Sequence, residues 1–431
     1  MSMRKKIFLS FSVFFSVFLT WKCIPVKETE SYKDYSYLYR PGSFALHPLF
    51  KVYHNGEQTS VYVKIFTDEL RYAKTGQSNE NRAKIEIIYK LKSKYSGSNY
   101  FASDSIVSFI KEFKNQTSVI TFFNVKDSDS ANYYIDISIT DLYTSKTHKQ
   151  ILKVDKTGSD NSIFYSINYL PDNKVKFGEQ STQGEFILFR YSKNKTSKLF
   201  FKYYRPNFLY PLPPHSSLST PEKNLKPDSV GHIEYRDTIG EYKDVGNIFF
   251  TKKGTYKIMS DTLKDKGITQ VCFDKSFPEI TRSKKMLETL FYLLSIDEYE
   301  ELKEAPNLKS AIDNFWLKSA GSKEKASEML KTWYNRAIYS NIYFSCDKEG
   351  WQTDRGMIYM ILGAPSIINL AEGVERWIYY PQRSNNQLVF IFKQKQDALS
   401  ENDFELERKP EYRNFWYDAI QTWRNGQVYI Y

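Results

Sequence analysis

The sequence predicts a β-rich, multidomain chain: two antiparallel β-sandwich domains of the Ig-like kind, followed by a C-terminal α+β module. Three observations lead there. Aromatic residues make up 17% of the 431 positions, with 34 Tyr, 31 Phe and 7 Trp, and aromatic and β-branched side chains favour strands. Apolar and polar residues alternate with a period of two through much of residues 50–280, the mark of half-buried strands. After Pro278 the apolar spacing changes to threes and fours, which is the period of helices. At about 150 residues per domain the length gives roughly three domains.

Residues 1–22 read as a signal peptide. Arg4, Lys5 and Lys6 form a basic start, and residues 7–21 are apolar, long for a secretory core and short for a spanning helix of about 20 residues. Cys23 follows, where a lipoprotein precursor presents its lipidation site, although Trp21 and Lys22 stand where small residues are usual. A single uncleaved N-terminal anchor is the alternative. Either places the rest of the chain outside the cytoplasm. Residues 23–45 are a polar tether rich in tyrosine.

The first sandwich is expected over 46–155. Val61, Val63 and Ile65 alternate with Tyr62, Lys64 and Phe66, and Tyr133, Ile135, Ile137 and Ile139 repeat the pattern. Asn55-Gly56 and Ser96-Gly97 supply turns. The second sandwich is expected over 156–280, with strands near 163–169, 185–191, 199–204, 247–251 and 269–273. Pro206, Pro211, Pro213 and Pro214 force an extended loop into it. The module over 281–431 begins with helical stripes. One of them, Ala326, Leu330, Trp333, Ala337, Asn341 and Phe344, predicts a long helix with a core-facing side. Strands follow near 375–380 and 388–392, then a final helix carrying Tyr412, Phe415, Trp416 and Trp423.

Composition narrows function by exclusion. The excess of 61 Lys+Arg over 50 Asp+Glu gives a net charge of +11, but the lysines are dispersed and closely followed by acids. A nucleic-acid protein clusters its excess, so no nucleic-acid partner is expected. Mean hydropathy is −0.54, against a polytopic membrane protein. The histidines His47, His54, His148, His215 and His232 form no pair at i, i+4, and no phosphate-cradling or nucleophile motif is present. Asp127-Ser128-Asp129 lacks the glycine and glutamate of a calcium loop. No metal and no cofactor are expected. Cys272 and Cys346 stand 74 residues apart with no framework spacing, and a bridge between them is left open.

One stretch differs in kind: Gly350-Trp351-Gln352-Thr353-Asp354-Arg355-Gly356, followed by a short apolar run to Gly363-Ala364-Pro365, with Trp377 beyond. Thr353 is placed to cap a helix, with Asp354 favoured at its positive end. Gly356 and Gly363 permit close approach or unusual backbone angles. Trp351 is an anchor for a core. Arg355 or Arg336 is the expected partner of Asp354, and Arg355 is read as an exposed ion pair worth under about 1 kcal/mol. A partner-binding turn is the rival reading. Catalysis by Thr353 or Asp354 lacks an activating neighbour within the motif.

The stretch resembles the signature of the GWxTD domain family of bacterial envelope proteins, and the likeness extends over about 281–431. Met357 and Ser366 depart from the pattern, at positions where a basic and an acidic residue are usual. The resemblance implies a secreted or lipid-anchored protein of Bacteroidota-like bacteria and carries no reaction with it. The run from Thr353 through Gly363 and Pro365 to Trp377 is also faintly similar to outer-membrane assembly lipoproteins of the BamE type. The expectation is therefore non-enzymatic: an outer-membrane-associated lipoprotein, held through Cys23, that acts as an interaction or scaffold component for other envelope proteins. Its rival is surface glycan binding through exposed aromatics.

Overall fold

A computed structural model of the chain describes residues 33–429, apart from 75–79, 127–129, 159, 171, 193–197, 207–208, 219–225, 240–241, 264–265 and 381–386. The leader, Cys23 and Asp127-Ser128-Asp129 lie outside the described residues. Within the described residues no helix is long and apolar enough to cross a membrane. Residues 34–431 form one compact unit.

The first β region holds β1 (Leu49–His54), β2 (Thr59–Phe66), β3 (Ala73–Lys74), β4 (Asn81–Lys92), β5 (Tyr100–Lys111), β6 (Ser118–Asn124), β7 (Asn132–Asp141) and β8 (Thr147–Asp155). One sheet has the order β1-β2-β6, and a second runs β3-β4-β7-β8 with β5 on the free side of β4. Alternation decides which side is buried: Val61, Val63 and Ile65 face inward from β2, and Ile85, Ile87 and Tyr89 do so from β4. These faces share one hydrophobic cluster, and Tyr89 stacks on Phe123 across the gap at 5.0 Å.

The second region holds β9 (Tyr165–Tyr169), β10 (Gln180–Thr182), β11 (Phe186–Tyr191), β12 (Lys198–Tyr204), β13 (Ser229–Ile239), β14 (Tyr242–Phe249), β15 (Gly254–Met259) and β16 (Ile268–Phe273). Where a second pair of packed sheets was expected, the strands line up in one order, β10-β16-β15-β12-β13-β14-β11-β9. The cause is the length of β13. Its first half pairs with β12 and its second half with β14, so one strand bridges both hairpins. The β10–β16 pair is parallel, the others antiparallel. Buried residues of this region join the same cluster as the first, from Leu46 to Cys272.

The C-terminal part carries α1 (Ser283–Thr289), α2 (Ile296–Lys303), α3 (Leu308–Ala320), α4 (Lys323–Phe344), α5 (Asp354–Leu362), then β17 (Ile367–Ala371), β18 (Val374–Tyr379), β19 (Leu388–Gln394) and β20 (Phe404–Leu406), and last α6 (Arg413–Arg424). The four strands form an antiparallel sheet in sequence order. Helix starts follow local chemistry: Ser295 and Glu298 make a capping box, and Asn307 and Ser322 cap α3 and α4. The α4 stripe is buried as its spacing predicts, except that Leu330 is half-buried, and Trp316, Trp333 and Trp423 meet with ring centres 5.1–6.4 Å apart. The proline-rich loop reaches this core, where Tyr210 stacks on Phe291 at 3.9 Å.

The tether is not a free linker over its whole length. Residues 34–39 strap onto the C-terminal sheet: the Tyr35 amide donates to the Ile368 carbonyl, and the Ile368 amide donates to Asp34. The Tyr39 ring lies 4.8 Å from Phe344 and 5.5 Å from Trp377. Tyrosine at every second or third position supplies both ring area and hydroxyls, which a polar reading of this segment overlooks.

Candidate functional site

The signature stretch is a turn between two helices. Gly350–Gln352 form one 3-10 turn, and α5 starts at Asp354. Thr353 closes the turn from both sides. Its hydroxyl accepts from the Gly356 amide at 3.0 Å and donates to the Gly350 carbonyl at 2.7 Å. The glycines are set by proximity: a Cβ on Gly350 would overlap the Ser340 carbonyl on α4, and one on Gly356 would overlap the Gly350 carbonyl. Thr353→Ala removes the cap and, with it, the hydroxyl's bond to the Gly350 carbonyl. It is expected to lower unfolding stability by about 1–2 kcal/mol while the protein stays folded, read from urea midpoints; a loss several times larger would show that the hydroxyl does more than make these two bonds.

Trp351 is fully buried and donates through Nε1 to Glu349 at 2.9 Å. Its carbonyl accepts the Tyr292 hydroxyl at 2.7 Å, and Tyr210 packs against its ring. Gly363 ends α5 at φ +82°, where a Cβ would run into the Arg336 guanidinium. The Pro365 carbonyl accepts from Arg40 at 3.2 Å.

The charged pairs differ from those expected. Asp354 pairs with neither Arg336 nor Arg355. Its carboxylate accepts from Arg408 at 2.6 Å and from the Leu406 amide at 2.8 Å, while burial pushes its carboxyl up against that pull. Arg336 lies over Trp423 and donates to the Met360 and Ile361 carbonyls at the end of α5. Arg355 is not exposed. It is 1% accessible, donates to Glu375 at 2.7 Å and to Asn402, and its guanidinium lies 4.2 Å from the Phe404 ring. Glu375 in turn accepts from Tyr39 and from the Trp377 indole, both at 2.9 Å. The turn thus reaches the strap, β18 and the 400–408 segment through buried hydrogen bonds.

Residue patterns alone missed Glu375, Asn402, Arg408 and Tyr39. One signal was available: Glu375 and Trp377 are two apart on a strand and so share a face. The others lie 47 to 336 residues from their partners, and no periodicity links them.

Beside the turn is a cleft of about 410 Å³ between β15, β16 and α1. Several of its charges pair with one another. Asp274 meets Lys253, Arg282 and Lys285 at 3.4, 2.5 and 3.6 Å, and Lys285 also pairs with Glu349. Among the described residues, the ligand atoms of Cys346, Asp347 and Asp403 lie within 4.8 Å of one another. Burial holds the Cys346 thiol well above its usual range, Cys346 donates to Asp347, and Asp403 pairs with Lys395 at 3.3 Å. Cys272 and Cys346 are both buried free thiols. The histidines serve local contacts: His47 pairs with Glu69 at 2.7 Å, and burial pushes His148 down to about 4.

The family model of the GWxTD domain matches residues 254–425, a span that takes in β15 and β16 as well as the helices and the last sheet. No curated protein matches the chain.

Proposed function

We propose, from the GWxTD domain at residues 254–425, that the chain is a non-enzymatic envelope lipoprotein that acts as a scaffold for other envelope proteins. It is held at the outer membrane by lipid on Cys23. Residues 46–155 act as an Ig-like β domain that, with the sheet of β9–β16, supports the C-terminal module. The observation that supports this reading is how the signature spends its polar groups. Thr353, Asp354 and Arg355 are each engaged inside the protein, by a cap, by Arg408 and by Glu375. A catalytic site keeps a reacting group presented to substrate; a joint uses its groups to hold elements together.

The test is affinity capture of the tagged chain from detergent-solubilised envelopes, with mass spectrometry of the bait. The expected result is a co-purifying envelope protein at near-stoichiometric yield and a mature N-terminus at an acylated Cys23. A bait that retains Met1 and captures nothing would overturn the proposal. Turnover by the purified chain would overturn its non-enzymatic part.

A further inference from the structure

Tyr37 lies in the middle of the strap, and two histidines meet it. Its hydroxyl and His148 Nδ1 on β8 are 3.3 Å apart, and its carbonyl lies 3.0 Å from His47 Nε2. The other ring nitrogen of His47, Nδ1, is 2.7 Å from one Glu69 carboxylate oxygen, and the second oxygen accepts the His47 amide at 2.8 Å. Both ring nitrogens of His47 therefore face acceptors, a carboxylate on one side and a carbonyl on the other. A neutral imidazole has one N–H and one bare lone pair, whereas the imidazolium has two N–H groups. Only the imidazolium satisfies both sides. The Ser43 hydroxyl stands 3.2 Å from Nε2 and 3.3 Å from the Tyr37 carbonyl, and its single proton serves one of them at a time. The Arg40 amide also donates to that carbonyl, at 3.3 Å, so residues 37–47 close into a loop around it.

We propose that His47 is a proton-operated latch: as an imidazolium it holds the strap to the first β region, and loss of its proton releases that hold. The ionisable groups around the ring come from the strap, the 3-10 turn Thr67–Glu69, the β7–β8 turn and β8. They are Tyr37, whose ring centre is 6.1 Å away, and Glu69, Lys146 and His148. The Glu69 hydrogen bond holds the His47 imidazolium above the usual 6.5, against its burial and the charge of Lys146. Lys146 donates to the Glu69 carbonyl at 3.1 Å and lies 3.4 Å from the Phe44 ring in the same loop. Burial keeps His148 neutral, so it brings no second positive charge near neutral pH. A group whose pKa is raised by folding lends its full stability below the unfolded value and loses it as pH climbs through the folded one. The latch is therefore shut at pH 6.5 and below, and opens above that. The proton leaves from Nε2, because the carboxylate retains the one on Nδ1. The bare Nε2 lone pair then faces the Tyr37 carbonyl, the Ser43 hydroxyl turns to it, and the carbonyl is left with the Arg40 amide. The two bonds at Ile368 contain no histidine and stay closed. This inference goes beyond the scaffold reading and does not rest on it, since every group in the latch belongs to this chain.

The test is a pH titration of the purified full chain with two readouts. In the first, nuclear magnetic resonance of histidine-labelled protein follows the His47 ring, its signal identified by its absence from His47→Gln. The expected midpoint lies above 6.5, and Glu69→Gln is expected to lower it. In the second, hydrogen exchange is read by mass spectrometry and corrected for the intrinsic effect of pH. Protection of residues 37–47 is expected to fall at least about fivefold between about pH 6 and about pH 9, the size of one lost hydrogen bond. Over the same range residues 34–36 and the β4 segment 85–91 should not change, and His47→Gln should show low protection of 37–47 throughout. A His47 midpoint at or below 6.5 would overturn the proposal. So would constant protection of 37–47 across the titration, or a fall shared equally by β4, which would mean general unfolding. A His47→Gln protein that keeps the wild-type pH response would assign that response to another group. The exchange readout on the unaltered chain decides the matter even where a variant fails to fold.

Discussion

Arg355→Ala is expected to destabilise the protein by about 3–5 kcal/mol, the range found when one member of a buried ion pair is removed. The guanidinium is 1% accessible, so water cannot replace it. Its loss strands Glu375, which keeps the Tyr39 and Trp377 donors but loses its cationic partner. It also empties the space against Phe404 and Phe344. Arg355→Lys should fall between, because an ammonium keeps the charge but cannot bridge Glu375 and Asn402 with a planar fork. Urea unfolding of the purified variants reads both. A loss under about 1 kcal/mol for Arg355→Ala would show that the pair is solvated, and the joint would lose its central tie.

Trp351→Ala should be of the same size, about 3–5 kcal/mol, by the cavity left when a large core aromatic is truncated. That is a large share of the 5–15 kcal/mol typical of a domain, so low yield or proteolysis of the C-terminal module is the expected outcome in cells. The size of the effect needs a control, since Nε1 also satisfies Glu349. Trp351→Phe keeps most of the volume, drops that hydrogen bond and leaves a small gap, so about 1–2 kcal/mol is expected. If Trp351→Ala is native-like and soluble while a captured partner is lost, the tryptophan serves recognition and not the core.

Local pattern made the first β region legible. The alternation on β4 and β7, the helical stripe on α4 and the caps are each set by neighbours a few residues away. β5 was harder, because its outer face mixes serine with phenylalanine and reads as neither buried nor polar. The single order of β9–β16 depends on one strand serving two hairpins, which no stretch of sequence announces. At the turn, Thr353 as cap and Trp351 as anchor follow from residue type alone. The partners of Asp354 and Arg355 do not. A charged residue next to a helix start looks solvated in sequence, and only the 400–408 segment folding back across the turn buries it.

The strap over residues 34–39 has a mechanical consequence. If the chain is tethered through Cys23, tension enters the folded unit at Asp34. The first bonds to feel it are the two at Ile368 on β17, and then the Tyr39 hydroxyl on Glu375. The load therefore passes straight into the C-terminal core around Trp377. Tyr37, in the same strap, passes part of the pull to the first β region through the hydrogen bond between its hydroxyl and His148 of β8 at 3.3 Å, so a pull on the anchor is shared between the last sheet and the first.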